Sequence, residues 1–93
     1  MASYRIIAWK DIPATVEARD ASDAVTLPLS ERFQALIDSV AMQLGVSSED
    51  AYLEHWAATD GDRPGTAREV GAAIVAELEE RFPEYSARSL HRA

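Results

Sequence analysis

Side chains that ligate, attack or move protons are scarce in this chain of 93 residues. It has no cysteine, which removes disulfides, iron–sulfur clusters, thiolate nucleophiles and cysteine zinc sites together. His55 and His91 are the two histidines, and neither H-x-x-x-H nor H-E-x-x-H occurs, so no helix face presents paired imidazoles. Asp60-Gly61-Asp62 starts like a calcium loop but lacks the third ligand and the distal glutamate. Gly61 and Gly65 precede a helix start, as in a phosphate cradle, without the lysine of a P-loop. His55 as a general base has no G-x-S-x-G nucleophile to serve. Glu79 and Glu80 are adjacent, and adjacent helical residues do not face each other, so they form no acid–base dyad. No catalytic residue, metal or cofactor is expected.

The aromatic and cationic residues point elsewhere. Trp9 and Trp56 are large for so small a chain, and a buried indole N–H needs an acceptor. One reading places both in the core, since tryptophan is highly buried on average. The other makes Trp9, Lys10 (the only lysine) and Ile12 a docking surface at one end of a hairpin. Tryptophan and arginine are favoured at interface hot spots.

Bulk properties narrow the classes further. Hydrophobic residues make up 47% and charged residues 27%, an ordinary globular mixture, and the length suits one domain over residues 1–93. Nine basic against sixteen acidic residues give a net charge of −7, which disfavours nucleic acid and anionic membrane surfaces as partners. No apolar run approaches the roughly 20 residues of a membrane span. The start, MASYRIIAWKD, lacks the apolar region of a signal peptide, so a soluble cytoplasmic protein is expected.

The elements that must position these residues follow from periodicity. Residues 3–10 carry apolar weight on both faces, as in a strand that is central or covered on both sides. Asp11-Ile12-Pro13 reads as a turn, and residues 14–19 alternate Ala14, Val16 and Ala18 with Thr15, Glu17 and Arg19. Val25, Leu27 and Leu29 suggest a third strand, at an edge because of Pro28. Together these predict a three-stranded antiparallel meander within 3–29. Ser30 is placed as the N-cap of a helix over 31–44, with Phe33, Leu36, Ile37, Val40, Ala41 and Leu44 on its apolar face and Gly45 as its left-handed stop. A second helix is predicted over 48–57 through Tyr52, Leu53 and Trp56, then a loop over 58–65. Thr66-x-x-Glu69 is a capping box for a third helix over 67–82, with Val70, Ile74, Leu78 and Phe82 at i+4 spacing and Ala67, Ala73 and Val75 alongside. Pro83 is expected to end it, leaving 84–93 as a tail that frays or adds a turn. The predicted class is α+β: a three-stranded antiparallel meander with about three helices packed on it.

YRIIAWKDIPATV (Tyr4 to Val16), LSERFQALIDSVAM (Leu29 to Met42) and Ala51-Tyr52-Leu53-x-x-Trp56 resemble the small bacterial virulence factor domain family. That family occurs as stand-alone proteins of this size and is similar to a domain attached to the HEAT-repeat protein called conserved virulence factor C. The resemblance covers most of 3–57 and weakens after Asp60. It implies a small subunit associated with a folate- or corrinoid-dependent one-carbon (methyl-transfer) enzyme. The residues carried over are Trp9, Lys10, Asp11, Ile12, Pro13, Ser30, Glu31, Arg32, Phe33, Ile37, Asp38 and Trp56. Of these, Lys10, Asp11, Arg32 and Asp38 are polar without an obvious local duty.

Three readings of function follow. The first is a non-catalytic accessory module that binds another protein, with Trp9, Lys10, Asp11, Ile12, Arg32, Asp38, His55 and Trp56 as candidate contacts. A homodimer is open within this reading. The second is a small enzyme, or a subunit that completes an active site, using Asp11, His55 or Arg32. The third is a small-anion or folate-binding domain that uses Lys10 and Arg32 for a glutamate tail. A DNA-binding regulator is disfavoured, because the predicted second helix carries Glu49, Asp50 and Glu54, the wrong sign for a groove.

Overall fold

The computed structural model describes residues 1–43, 45 and 53–90. Strand β1 (Ala2–Trp9) pairs with β2 (Ile12–Arg19), and β2 with β3 (Ala24–Pro28). Helix α1 (Glu31–Gln43) follows, and then β4 (Trp56–Arg63) returns to the other edge of β1. Helices α2 (Ala67–Glu80) and α3 (Phe82–Leu90) complete the chain. The sheet order is β3-β2-β1-β4 with every pair antiparallel.

The α+β class is as read from the sequence, but the three-stranded meander is corrected to a four-stranded sheet. Residues 56–57, expected in a helix, and 58–63, expected in a loop, form β4. Of the predicted helix over 48–57, Leu53 and Glu54 are helical, and 48–52 lie outside the described residues. The cause is tertiary. Ala57, Ala58, Asp60, Gly61 and Asp62 have low strand propensity, yet eight successive residues pair with β1 from Ala2↔Arg63 to Trp9↔Trp56. A central β1 needs hydrogen-bond partners on both edges.

The first hairpin turns through Lys10 and Asp11 rather than Asp11-Ile12-Pro13, with Ile12 and Pro13 already in β2. The pairing steps from Ile7↔Thr15 to Ala8↔Pro13, so Ala14 is an extra residue on β2. A bulge beside a proline fits a residue with no donor for the ladder.

In α1, Phe33, Leu36, Ile37, Val40 and Ala41 are buried, as its period requires. Gly45 has φ +67°, the left-handed value expected of it, and Leu44 lies outside the described residues. In α2, Glu69 N–H donates to Thr66 Oγ1 (3.1 Å) and Thr66 N–H donates to Glu69 Oε1 (3.0 Å), completing the capping box. Gly71 brings α2 close to the sheet: a Cβ built there would lie 3.0 Å from Leu27 Cδ1 and 3.4 Å from Val25 Cγ2. Ala67, Val70, Ile74 and Leu78 are buried as expected, whereas Ala73 is exposed.

The chain breaks at Arg81 and starts a new helix where a tail was expected over 84–93; residues 91–93 lie outside the described residues. Pro83 sits in the first turn of α3, where its missing N–H costs nothing. Phe82 and Tyr85 then pack edge-on against Phe33, with centroids 5.0 and 6.1 Å away.

Asp20, in the β2–β3 turn, ties the sheet to α2. Its Oδ1 accepts from Ser22 and Asp23 N–H (2.7 Å each), and its Oδ2 accepts from Ala67 N–H at the start of the helix (2.7 Å). The Ala67 and Ser22 N–H groups hold the Asp20 carboxyl below the usual carboxylate range. A carboxyl whose folded pKa lies below its unfolded value stabilises above the unfolded pKa and loses that contribution as pH falls through the folded one. We predict that Asp20→Asn lowers the melting temperature at pH 7, and that the gap from the parent closes as pH falls below the carboxylate range. Thermal melts across that range check it; a gap that does not change with pH would refute it.

Candidate functional site

Two pairings bring together residues far apart in sequence. The first hairpin puts Trp9 opposite Ile12, and β4 puts Trp56 opposite Trp9. Lys10 N–H donates to the His55 carbonyl (2.8 Å), extending the β1–β4 ladder one step. The His55 ring meets Trp9 edge-on, with centroids 5.3 Å apart and planes at 82°. Six of the eight candidates, Trp9, Lys10, Asp11, Ile12, His55 and Trp56, therefore meet at one end of the sheet.

Their exposure divides them. Trp9 is 0% exposed and Ile12 is 1% exposed, so both are core and cannot form a docking surface. Trp56 is half-buried and packs against the core. Lys10 and His55 are half-buried, and Asp11 is exposed. The accessible part is thus the turn tip, Lys10 and Asp11, flanked by His55 and Trp56, on a floor made by Trp9 and Ile12.

Lys10 holds φ +56°, the one non-glycine value in the left-handed region among the described residues. That conformation costs an L-residue on the order of 1 kcal/mol.

Arg32 and Asp38 have other partners. Arg32 Nη2 donates to the Glu79 carbonyl (2.7 Å) and to Glu79 Oε1 (3.0 Å), and its Nε donates to Oε1 (3.2 Å). Its guanidinium stacks over the Phe82 ring at 4.5 Å. The same carboxylate accepts from Ser30 N–H (2.7 Å) and Ser30 Oγ–H (2.8 Å). The Ser30 hydroxyl, expected as an N-cap acceptor, thus donates to Glu79. Burial pushes the Glu79 carboxyl up, but the Ser30 donors and the Arg32 guanidinium outweigh it and hold the group below its ordinary value. This knot joins the start of α1 to the end of α2. Asp38 accepts from Gln34 Nε2 one turn earlier (3.0 Å), an ordinary contact on a helix surface.

Sequence reasoning missed Glu79, Asp20 and the Arg63–Glu77 fork, whose two hydrogen bonds measure 2.6 and 3.0 Å. These are pairings between separate elements, and no local spacing announces them. A strand on the second edge of β1 was signalled, by the two apolar faces of residues 3–10.

A shallow, open depression of about 550 Å³ lies over the other end of β1, lined in part by Ser3, Arg5, Glu17, Thr26, Asp60 and Asp62. Its charges are largely matched internally. Arg5 Nε donates to Asp60 Oδ1 (2.7 Å) and Ser3 Oγ–H donates to Asp62 Oδ1 (3.0 Å). Hydrogen bonding to Arg5 also holds the Asp60 carboxyl low. Among the described residues no group of three or more His, Asp or Glu side chains is placed to hold a metal ion, and no helix is long and apolar enough to cross a membrane.

Fold and site together describe a small α+β domain with a four-stranded antiparallel sheet, helices packed on it and a polar turn tip at one sheet end. The chain belongs to the virulence factor family, whose model matches residues 7–90. That match runs through β4, α2 and α3, well past the point near Asp60 where the resemblance was expected to weaken. No curated protein and no solved structure matches the chain.

Two outcomes follow from the geometry. Lys10→Gly trades left-handed strain for unfolded-state entropy of similar size, so it leaves stability within about 1 kcal/mol of the parent, whereas β-branched Lys10→Val costs about 1–3 kcal/mol. Glu79→Ala removes the acceptor shared by the exposed Arg32 and Ser30 donors, which water can replace in part, and costs about 1 kcal/mol. Urea unfolding of each variant measures these differences.

Proposed function

We propose that the chain is a non-catalytic accessory module that binds another protein through the sheet end at Lys10, Asp11, His55 and Trp56. The observation that carries this reading is the convergence of the β1–β2 turn and the start of β4. It sets a cation, an anion, an imidazole and an indole beside the buried Trp9 and Ile12. Such a patch has the composition of a small recognition surface: an aromatic anchor with polar groups at its rim. The partner class in this reading is the one the sequence resemblance implies, a folate- or corrinoid-dependent one-carbon (methyl-transfer) enzyme of the cytoplasm.

The anion-binding reading is less well supported. Arg32 would have to give up its three hydrogen bonds to Glu79 before receiving a glutamate tail. The reading as a subunit completing an active site calls for a cleft that holds two or more of Asp11, His55 and Arg32. Asp11 and His55 meet at the sheet end, but the open depression lies over the other end of β1, and Arg32 is engaged by Glu79 and by the rings of Phe33 and Phe82.

Affinity capture with the full chain in its native cell, read by mass spectrometry, tests the proposal. The parent should retain a partner that falls at least tenfold with Lys10→Gly and Asp11→Ala combined, in a variant that is still folded at the capture temperature by circular dichroism. Retention of the same partner by that variant, or no partner with the parent, would refute it.

A further inference from the structure

We infer that the outer edge of β4 is a strand-addition site for an extended partner segment that carries basic side chains at alternate positions. This rests on the interaction-module reading and gives it a second contact surface with its own chemistry.

The two edges of the sheet differ. At one edge, β3 has five residues, ends at Pro28 and has Leu27 and Val25 against Gly71 of α2. Short length, proline, a covering helix and charged side chains are the usual ways a sheet blunts an edge, and of these β4 shows the charges, Asp60, Asp62 and Arg63, which restrict what can pair there. At the other edge, β4 has eight residues, contains neither proline nor lysine, and pairs with β1 without a register shift. Ala57, Ala58, Thr59 and Asp60 are all exposed, and since consecutive strand residues point to opposite faces, both faces are open there. Alternate backbone N–H and C=O groups of such a strand point away from β1, the template used in β-augmentation.

Charge selects the occupant. The sheet carries the cross-strand row Glu17–Arg5–Asp60, alternating in sign, and beside it the row Arg19–Ser3–Asp62, each ending in an acid on β4. Asp60 and Asp62 are exposed and two residues apart, so they share a face. A fifth strand placing cations at i and i+2 opposite them continues the alternation, and opposite charges directly across strands are favourable. A second copy of the chain does not supply them. On that face its own β4 offers Trp56, Ala58, Asp60 and Asp62, with acids as the only charges. The net charge of −7 also favours encounter with a basic partner.

The probe is the peptide Thr-Val-Lys-Val-Lys-Val-Thr with capped ends, titrated into the full ¹⁵N-labelled chain. Its controls are the peptide with glutamate for lysine and the lysine peptide with N-methylated backbone. The lysine peptide should shift and protect amides of β4, and both controls should bind at least tenfold more weakly. Asp62→Lys, whose described partner is only the Ser3 hydroxyl, leaves one acid and one cation on that face and should abolish the preference for the lysine peptide. Absence of β4 shifts at millimolar peptide, binding indifferent to charge or to N-methylation, or self-association through β4 would each overturn the inference. Its failure is separable from that of the interaction reading. If a captured partner is lost with the Lys10 and Asp11 changes but kept by Asp62→Lys, the edge site falls and the sheet-end site stands.

Discussion

The structure depends on one constraint: β1 must have both of its edges hydrogen-bonded. SYRIIAWK is apolar on both faces, so it is stable only inside a sheet with its backbone groups satisfied on each side. The hairpin to β2 satisfies one side. The other needs a strand from later in the chain, and β4 takes that place despite a composition that favours a loop. Pairing β4 there carries His55 and Trp56 to the turn at Lys10. The candidate site is thus a consequence of completing the sheet.

This also explains which parts of the fold were legible in the sequence. Helix α1 was legible because burial of Phe33, Leu36, Ile37, Val40 and Ala41 follows a local period, and the Thr66–Glu69 box because it closes within one helical turn. Gly45 was legible because a left-handed residue after an apolar helix has few other occupants. Strand β4 was not, because its residues neither alternate nor favour strands and its pairing is decided by residues more than 45 positions away. Pro83 was read as a stop when it opens α3, since proline suits a first helical turn as well as a position past the last one.

The candidate residues divide along the same line. Trp9 and Ile12, singled out for contact with a partner, are spent on the core. Arg32, singled out because no local duty was visible, has a distant one: it shares Glu79 with Ser30 and stacks on Phe82. A polar residue with no partner in its own helix is weak evidence for a ligand when another helix end lies within reach. Lys10 and Asp11 form the two-residue turn, Lys10 half-buried and Asp11 exposed, and the Lys10 N–H serves the ladder through the His55 carbonyl.

A domain of this size buries a smaller fraction of its surface than a larger one, and the apolar core alone leaves a thin margin. Polar side chains are drawn into closing the fold: Asp20 onto the start of α2, Arg63 onto Glu77, Arg32 and Ser30 onto Glu79. In the proposed reading, recognition falls to the tip of a tight turn and the backbone of a terminal strand. Both are anchored by hydrogen bonds to β1, and neither requires a preformed cavity. Recognition by an edge and a turn asks little of side-chain identity over most of the surface, which suits a small acidic chain whose histidines and carboxylates are not gathered around a metal among the described residues. In the proposed strand-addition site, specificity rests on register: which backbone groups of β4 face away from β1, and which carboxylates stand beside them.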